Sequence, residues 1–194
     1  MVVSAPSGAG KTTICRALVT QMAEADYAIS LTTRSPRPGE VDGSDYHFVT
    51  RDEFEKRIRE RRLVEWAEVH GNLYGTDRNT LEEQMVAGRI VLLDLDVQGA
   101  RQLKTAVPET VMVFICPPSW EALESRLRMR GADDEETVAL RLANAREEMS
   151  HHKNYDYVVL NDDLARATHR VGEIIRSESS RTGRTRLDGW DEGP

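Results

Sequence analysis

The sequence predicts an α/β fold, a mainly parallel sheet flanked by helices, and three observations carry that prediction. A glycine-rich loop, Ala5 to Thr12, stands between a short apolar run and a helical pattern. The later runs Ile90–Asp96, Val111–Cys116 and Tyr157–Leu160 each read as a strand apolar on both faces, as expected at the centre of a parallel sheet. The intervals between these runs carry helical spacing, so strands and helices alternate in the rhythm of a parallel sheet.

Met1-Val2-Val3-Ser4 reads as the end of a buried strand, short for a central one, which leaves open a truncated start. From Lys11 the residues Ile14, Leu18, Val19 and Met22 recur at helical spacing. Ala28–Thr32 is expected as a short strand, and residues 34–45 as a turn-rich loop. Tyr46–Val49 follows as a strand. Thr50 with Glu53 three residues on makes a capping box for a helix whose inner face is Phe54 and Ile58. Asn79 and Glu82 repeat that signal before Leu81, Met85 and Val86. Beyond the Ile90 strand, helices are expected at about 98–105, 119–129, 134–151 and 163–177. Residues 34–86 break the rhythm and read as an inserted lobe, and the tail 178–194 has no apolar periodicity and reads as disordered.

A chain of 194 residues fits one domain. It has no apolar run near 18 residues and no basic or apolar leader, so neither a membrane span nor a signal peptide is expected. The net charge of −7 argues against a general nucleic-acid binder but not against a nucleotide, which a local arginine cluster can hold. Cys15 and Cys116 sit in apolar stretches and read as buried free thiols, and the cytoplasm is the expected location.

The loop approaches the pattern G-x-x-x-x-G-K-[ST], a P-loop. Backbone N–H groups encircle a phosphate, the lysine reaches the β- and γ-phosphates, and the next hydroxyl binds Mg2+. Gly10, Lys11 and Thr12 fill the key places, and Ala5 stands where the first glycine should be. Pro6 pushes residue 5 into the extended region, where alanine is unstrained. The loop implies a nucleoside triphosphate without choosing among GTPase, ATPase and kinase.

Further motifs make that choice. Ser4-Ala5-Pro6-Ser7-Gly8-Ala9-Gly10-Lys11-Thr12-Thr13, Thr32-Thr33-Arg34-Ser35-Pro36-Arg37-Pro38-Gly39-Glu40 and Asp45-Tyr46-His47-Phe48 resemble guanylate kinases. So do Glu65-Trp66-Ala67, Gly71 to Thr76, Leu93 to Gly99 and Asn161-Asp162-Asp163, in order from about residue 2 to 177. The resemblance implies a core at 1–32, 88–129 and 152–177, a GMP-binding lobe at 33–87 and a helical lid at 130–151. It implies transfer from ATP to GMP with Mg2+; the expected partners are these small molecules, with no nucleic acid or membrane, and the oligomeric state is left open.

The residues bear this chemistry on their own terms. A dianionic phosphate suits Arg34 and Arg37, three apart in a loop stiffened by Pro36 and Pro38, with Tyr46 and Tyr74 as phenolic donors. Guanine offers two donors on one edge, which a carboxylate accepts together. Glu65 matches the family position for that task, and Ser30 and Thr76 match base-contacting ones. Asp96 resembles a further guanine-side carboxylate, while Asp94 stands where an acid could reach Mg2+ through water; spacing leaves open which serves which. Arg126, Arg130 and Arg141 flank the polar turn Gly131-Ala132-Asp133-Asp134, and the resemblance aims them at ATP phosphates, Arg130 and Arg141 with a catalytic part. It also sets Asn161 near adenine. Thr13 completes the loop set. His151-His152 and the residues Trp66 and Trp120 read as unrelated to the site, the tryptophans as packing. Two rivals remain, a non-catalytic binding module of the same fold and a kinase of another small phosphate.

Overall fold

The chain follows the expected alternation. In the computed structural model, which describes residues 1–69, 71–129 and 135–184, it opens with β1 (Val2–Ser4), α1 (Lys11–Gln21) and β2 (Ala25–Tyr27). Next come β3 (Leu31–Thr32), β4 (His47–Phe48), α2 (Arg51–Arg59), β5 (Leu63–Val69), β6 (Asn72–Asp77) and α3 (Arg78–Val86). The second half runs β7 (Ile90–Asp94), α4 (Val97–Ala106), β8 (Met112–Cys116), α5 (Trp120–Met129) and α6 (Glu135–Ser150). A 3₁₀ turn at His151–Asn154 leads to β9 (Tyr157–Leu160) and α7 (Leu164–Ser179).

The main sheet has the order β2-β7-β1-β8-β9, with every pairing parallel. Side-chain alternation along its strands feeds two cores. Val3 and Leu92 pack with Ile14 and Leu18 of α1 and Val171 and Ile175 of α7. Val2, Val91 and Leu93 pack with Ala100 and Leu103 of α4 and Leu81 of α3. Both faces are covered at β1, β7 and β8, which is why they read as nearly unbroken apolar runs; β9, expected to be buried on both faces as well, lies at the edge of the sheet and exposes Val158 and Leu160.

A second sheet, β4-β3-β6-β5, stands apart and is built on the antiparallel β5–β6 hairpin, whose turn carries Gly71 at φ 77°. Leu31, Leu63 and Leu73 pack around Phe54 of α2, which is fully buried. The Thr50 hydroxyl caps α2 by accepting from the Glu53 N–H at 3.2 Å.

Several expectations need correction. The single strand expected at Ala28–Thr32 is two, because the chain leaves the edge of the main sheet at Tyr27 and joins the second sheet at Leu31. The cap of α3 is Asp77, whose carboxylate accepts from the Asn79 and Thr80 N–H groups, so Asn79 lies inside the helix. Order extends beyond position 177. Buried Glu178 accepts from the Tyr157 hydroxyl and from Arg184, which also donates to the Glu109 carbonyl at 2.8 Å. The remainder of the expected tail, 185–194, lies outside the described residues, as do His70 and 130–134.

Candidate active site

The loop after β1 is shaped by its two left-handed glycines, Gly8 at φ 88° and Gly10 at φ 91°. Gly10 is also required by space, since a Cβ there would lie 2.6 Å from the Asn161 amide nitrogen. That nitrogen donates to the Ala9 carbonyl at 2.7 Å and braces the loop from below. Ala5 and Pro6 are buried and carry β1 into the turn. Gly10 caps α1 without a side-chain hydrogen bond, so the first N–H groups of the helix, including those of Thr12 and Thr13, face the loop as an anion site.

Asp94, at the carboxyl end of β7, organises this end. The Lys11 ammonium lies 2.7 Å from its Oδ1 and donates to the Leu95 carbonyl at 3.0 Å. The Thr12 hydroxyl donates to Oδ2 at 2.5 Å, and Tyr27 reaches the same oxygen at 3.4 Å. Burial works against the Lys11 charge, but Asp94 more than compensates and holds its pKa above the usual lysine value. From α6, Glu148 accepts the Ser7 N–H at 3.3 Å, and burial raises its pKa. Nothing in the sequence singled out Glu148, an acid on a helix rich in charge.

At the acceptor end, the Arg34 guanidinium forks onto Glu40, at 2.9 and 2.8 Å, and lies 5.4 Å from the Tyr46 ring centre. Glu40 also accepts the Arg37 N–H at 2.7 Å, and Arg34 holds its carboxyl below the ordinary range. A carboxylate therefore occupies the Arg34 guanidinium expected to hold a phosphate. Tyr46 and Tyr74 meet edge-on at 5.9 Å beside them. The Arg37 side chain is exposed and Ser30 is half-buried.

Glu65 projects from β5 and is 4% exposed. The Thr76 hydroxyl donates to its Oε1 at 2.6 Å. Burial, reinforced by the charge of Asp96, pushes its pKa up to about 7. Asp96 caps α4, accepting the Gly99 N–H at 2.8 Å. The two acids left open by spacing thus face different ways, Asp94 to Lys11 and Thr12 and Asp96 toward Glu65.

The expected arginines of the third region are only partly placed. Arg126 donates to the Asn161 carbonyl at 2.9 Å, Arg141 is half-buried on α6, and Arg130 lies outside the described residues. Asn161 is 4% exposed with its amide nitrogen given to the loop, an employment the sequence did not suggest. Trp66 and Trp120 are 39% and 43% exposed, so neither is core packing; Arg146 lies over the Trp120 ring. Among the described residues no group of three or more His, Cys, Asp or Glu could hold a metal ion, His151 and His152 included.

Comparison with known proteins gives one family. A family model described as guanylate kinase matches residues 1–178. A guanylate kinase of Syntrophotalea carbinolica is 50% identical over 187 residues, spanning 96% of this chain and 89% of that protein. One from Maricaulis maris is 49% identical, spanning 92% and 82%. The crystal structure of guanylate kinase from Anaplasma phagocytophilum superimposes with a TM-score of 0.79 at 36% identity, covering 94% of this chain and 87% of that one.

Proposed function

The chain belongs to the guanylate kinase family, and we propose on that basis that it transfers the γ-phosphoryl group of ATP to GMP, giving ADP and GDP. The observation that carries the reading is the pair of acids at the end of β7. Asp94 engages the loop lysine and Asp96 lies against the Glu65 site, so one strand end serves both sites. Ligands of open parallel sheets bind outside the carboxyl ends of the strands, and both sites lie there.

ATP phosphates lie in the loop Ala5–Gly10 and take N–H groups of its non-proline residues and of Lys11, Thr12 and Thr13, and Lys11 turns from Asp94 to the β- and γ-phosphates. Thr12 and Asp94 would hold Mg2+, which when bound neutralises phosphate oxygens. Their hydroxyl and carboxylate are 2.5 Å apart, and hard oxygen donors with room for water and phosphate suit that ion. Arg34 exchanges Glu40 for the GMP phosphate and the exposed Arg37 side chain closes on it, with Tyr46 and Tyr74 donating to it. Glu65, ionised, accepts both donors of guanine while Thr76, Ser30 and Asp96 complete the contact.

A phosphate oxygen of GMP then attacks the γ-phosphorus, and the bond to the β–γ bridging oxygen breaks as ADP departs. The dianion is its own nucleophile and needs no general base. Positive charge on the transferring group is the protein's contribution. Arg126, Arg130 and Arg141 supply it from the proposed lid, 130–151, which closes with the GMP lobe, 33–87, to exclude water. We place the reaction in the cytoplasm, where the buried thiols Cys15 and Cys116 stay reduced. Release of ADP from ATP with GMP, AMP, CMP and UMP offered in turn tests the reading. Turnover with GMP alone is expected, and no turnover with any of the four would overturn it.

A further inference from the structure

Gly99 occupies the first turn of α4, and its backbone gives no reason for glycine: its φ is not left-handed, and its N–H binds the cap as any residue would. Glycine inside a helix costs about 1 kcal/mol relative to alanine. The reason is space. A Cβ on Gly99 would stand 2.6 Å from Glu65 Oε2, 3.4 Å from Glu65 Cδ and 3.3 Å from Asp96 Oδ1. Glu65 has little freedom to retreat, because its Oε1 accepts from Thr76 and its residue is buried. Its strand is also tied to the same helix. Gln102 of α4 accepts the Trp66 N–H at 3.1 Å and donates to the Trp66 carbonyl at 2.7 Å. On the other side, a Cβ at Gly75 would lie 2.9 Å from the Glu65 carbonyl. Helix and strand are therefore clamped at a separation that leaves one methyl-sized space, and the carboxylate fills it.

We propose that Gly99 is a positioning residue for selection of the base: its missing side chain is the seat of the Glu65 carboxylate. The proposal rests on the assignment of Glu65 to guanine. A methyl group at 99 displaces Oε2 from the line on which it accepts from the base and leaves the Lys11–Asp94 end untouched.

The test is the steady-state behaviour of Gly99→Ala, alone and in a Glu65→Ala background, with melting temperatures for all variants. In Gly99→Ala the KM for GMP should rise roughly 10- to 100-fold, the range for one lost hydrogen bond to a charged group. The KM for ATP should stay within about twofold, a split that a general loosening of α4 would not give. In the Glu65→Ala background the 2.6 Å conflict is gone and only the 3.3 Å approach to Asp96 Oδ1 remains, so Gly99→Ala should change the KM for GMP by less than about threefold and raise the melting temperature, as alanine for glycine in a helix does. Should the single variant fail to fold, a sound double variant still reports the clash, and failure of both overturns the proposal. An unchanged KM for GMP in Gly99→Ala, with a raised one in Glu65→Ala, overturns the role of Gly99 and spares that of Glu65. An unchanged KM for GMP in Glu65→Ala removes the assignment itself. Equal losses for ATP and GMP would mark Gly99 as structural and overturn the proposal.

Discussion

At the scale of residues, half-buried Lys11 and buried Glu65 are two ionisable groups whose surroundings act with opposite consequences. Asp94 keeps Lys11 ionised, so its positive charge is ready for phosphates at any working pH. Lys11→Ala should leave no measurable transfer while the fold survives, as read by an unchanged melting temperature to within a few degrees. Glu65 is different, since burial raises its pKa to about 7 while the ligand needs the ionised form. GMP binding must then expel a proton below that value. The KM for GMP should rise as pH falls from 8 to 6, and more steeply than in Glu65→Gln, a difference that separates Glu65 from titration of the phosphate. The same shift acts on stability with a definite sign. Between the ordinary value of 4.5 and about 7 the folded state holds a proton that the unfolded state has lost. Stability through this group therefore declines as pH rises across that window and is level above it. Glu65→Gln should flatten this part of the melting profile of the free protein.

At the scale of elements, the second sheet depends on few contacts. Phe54 is its largest buried side chain, and truncation to alanine should cost about 3–5 kcal/mol. The loss should fall on one site: Phe54→Ala should lose the rise in melting temperature that GMP gives and keep the rise that ATP gives. Legibility in the sequence follows the same division. Strands β7 and β8 were readable because a strand covered on both faces becomes a nearly unbroken apolar run; β9 carries the same apolar pattern although Val158 and Leu160 are exposed at the edge of the sheet. The hairpin β5–β6 was not, because it faces the small core on one side and carries Trp66, Glu68 and Asn72 outward or at its turn. The break between β2 and β3 was hidden because a change of sheet leaves no mark in hydrophobic spacing. At the site, Lys11, Arg34 and Glu65 were legible from motif and residue type. Glu148 and the bracing role of Asn161 were not, since each depends on which distant backbone it meets, and the hold of Glu40 on Arg34 depends on how the intervening loop folds back.

At the scale of the whole molecule, two sheets meet over the carboxyl ends of β1 and β7. Gln102 of α4 is hydrogen-bonded to the backbone of β5, and Arg16 of α1 bonds to Asp45 in the loop before β4. The second tie is largely exposed on the arginine side, so Arg16→Ala should change stability by less than about 1 kcal/mol. The architecture thus joins a triphosphate site to a site for a second nucleotide across the two residues from Asp94 to Asp96. The most direct test is the nucleotide balance of the reaction, measured as GDP and ADP formed from ATP and GMP. The account requires one GDP for each ADP, with neither formed by Lys11→Ala. ADP without GDP would contradict it, because water rather than GMP would then be the acceptor.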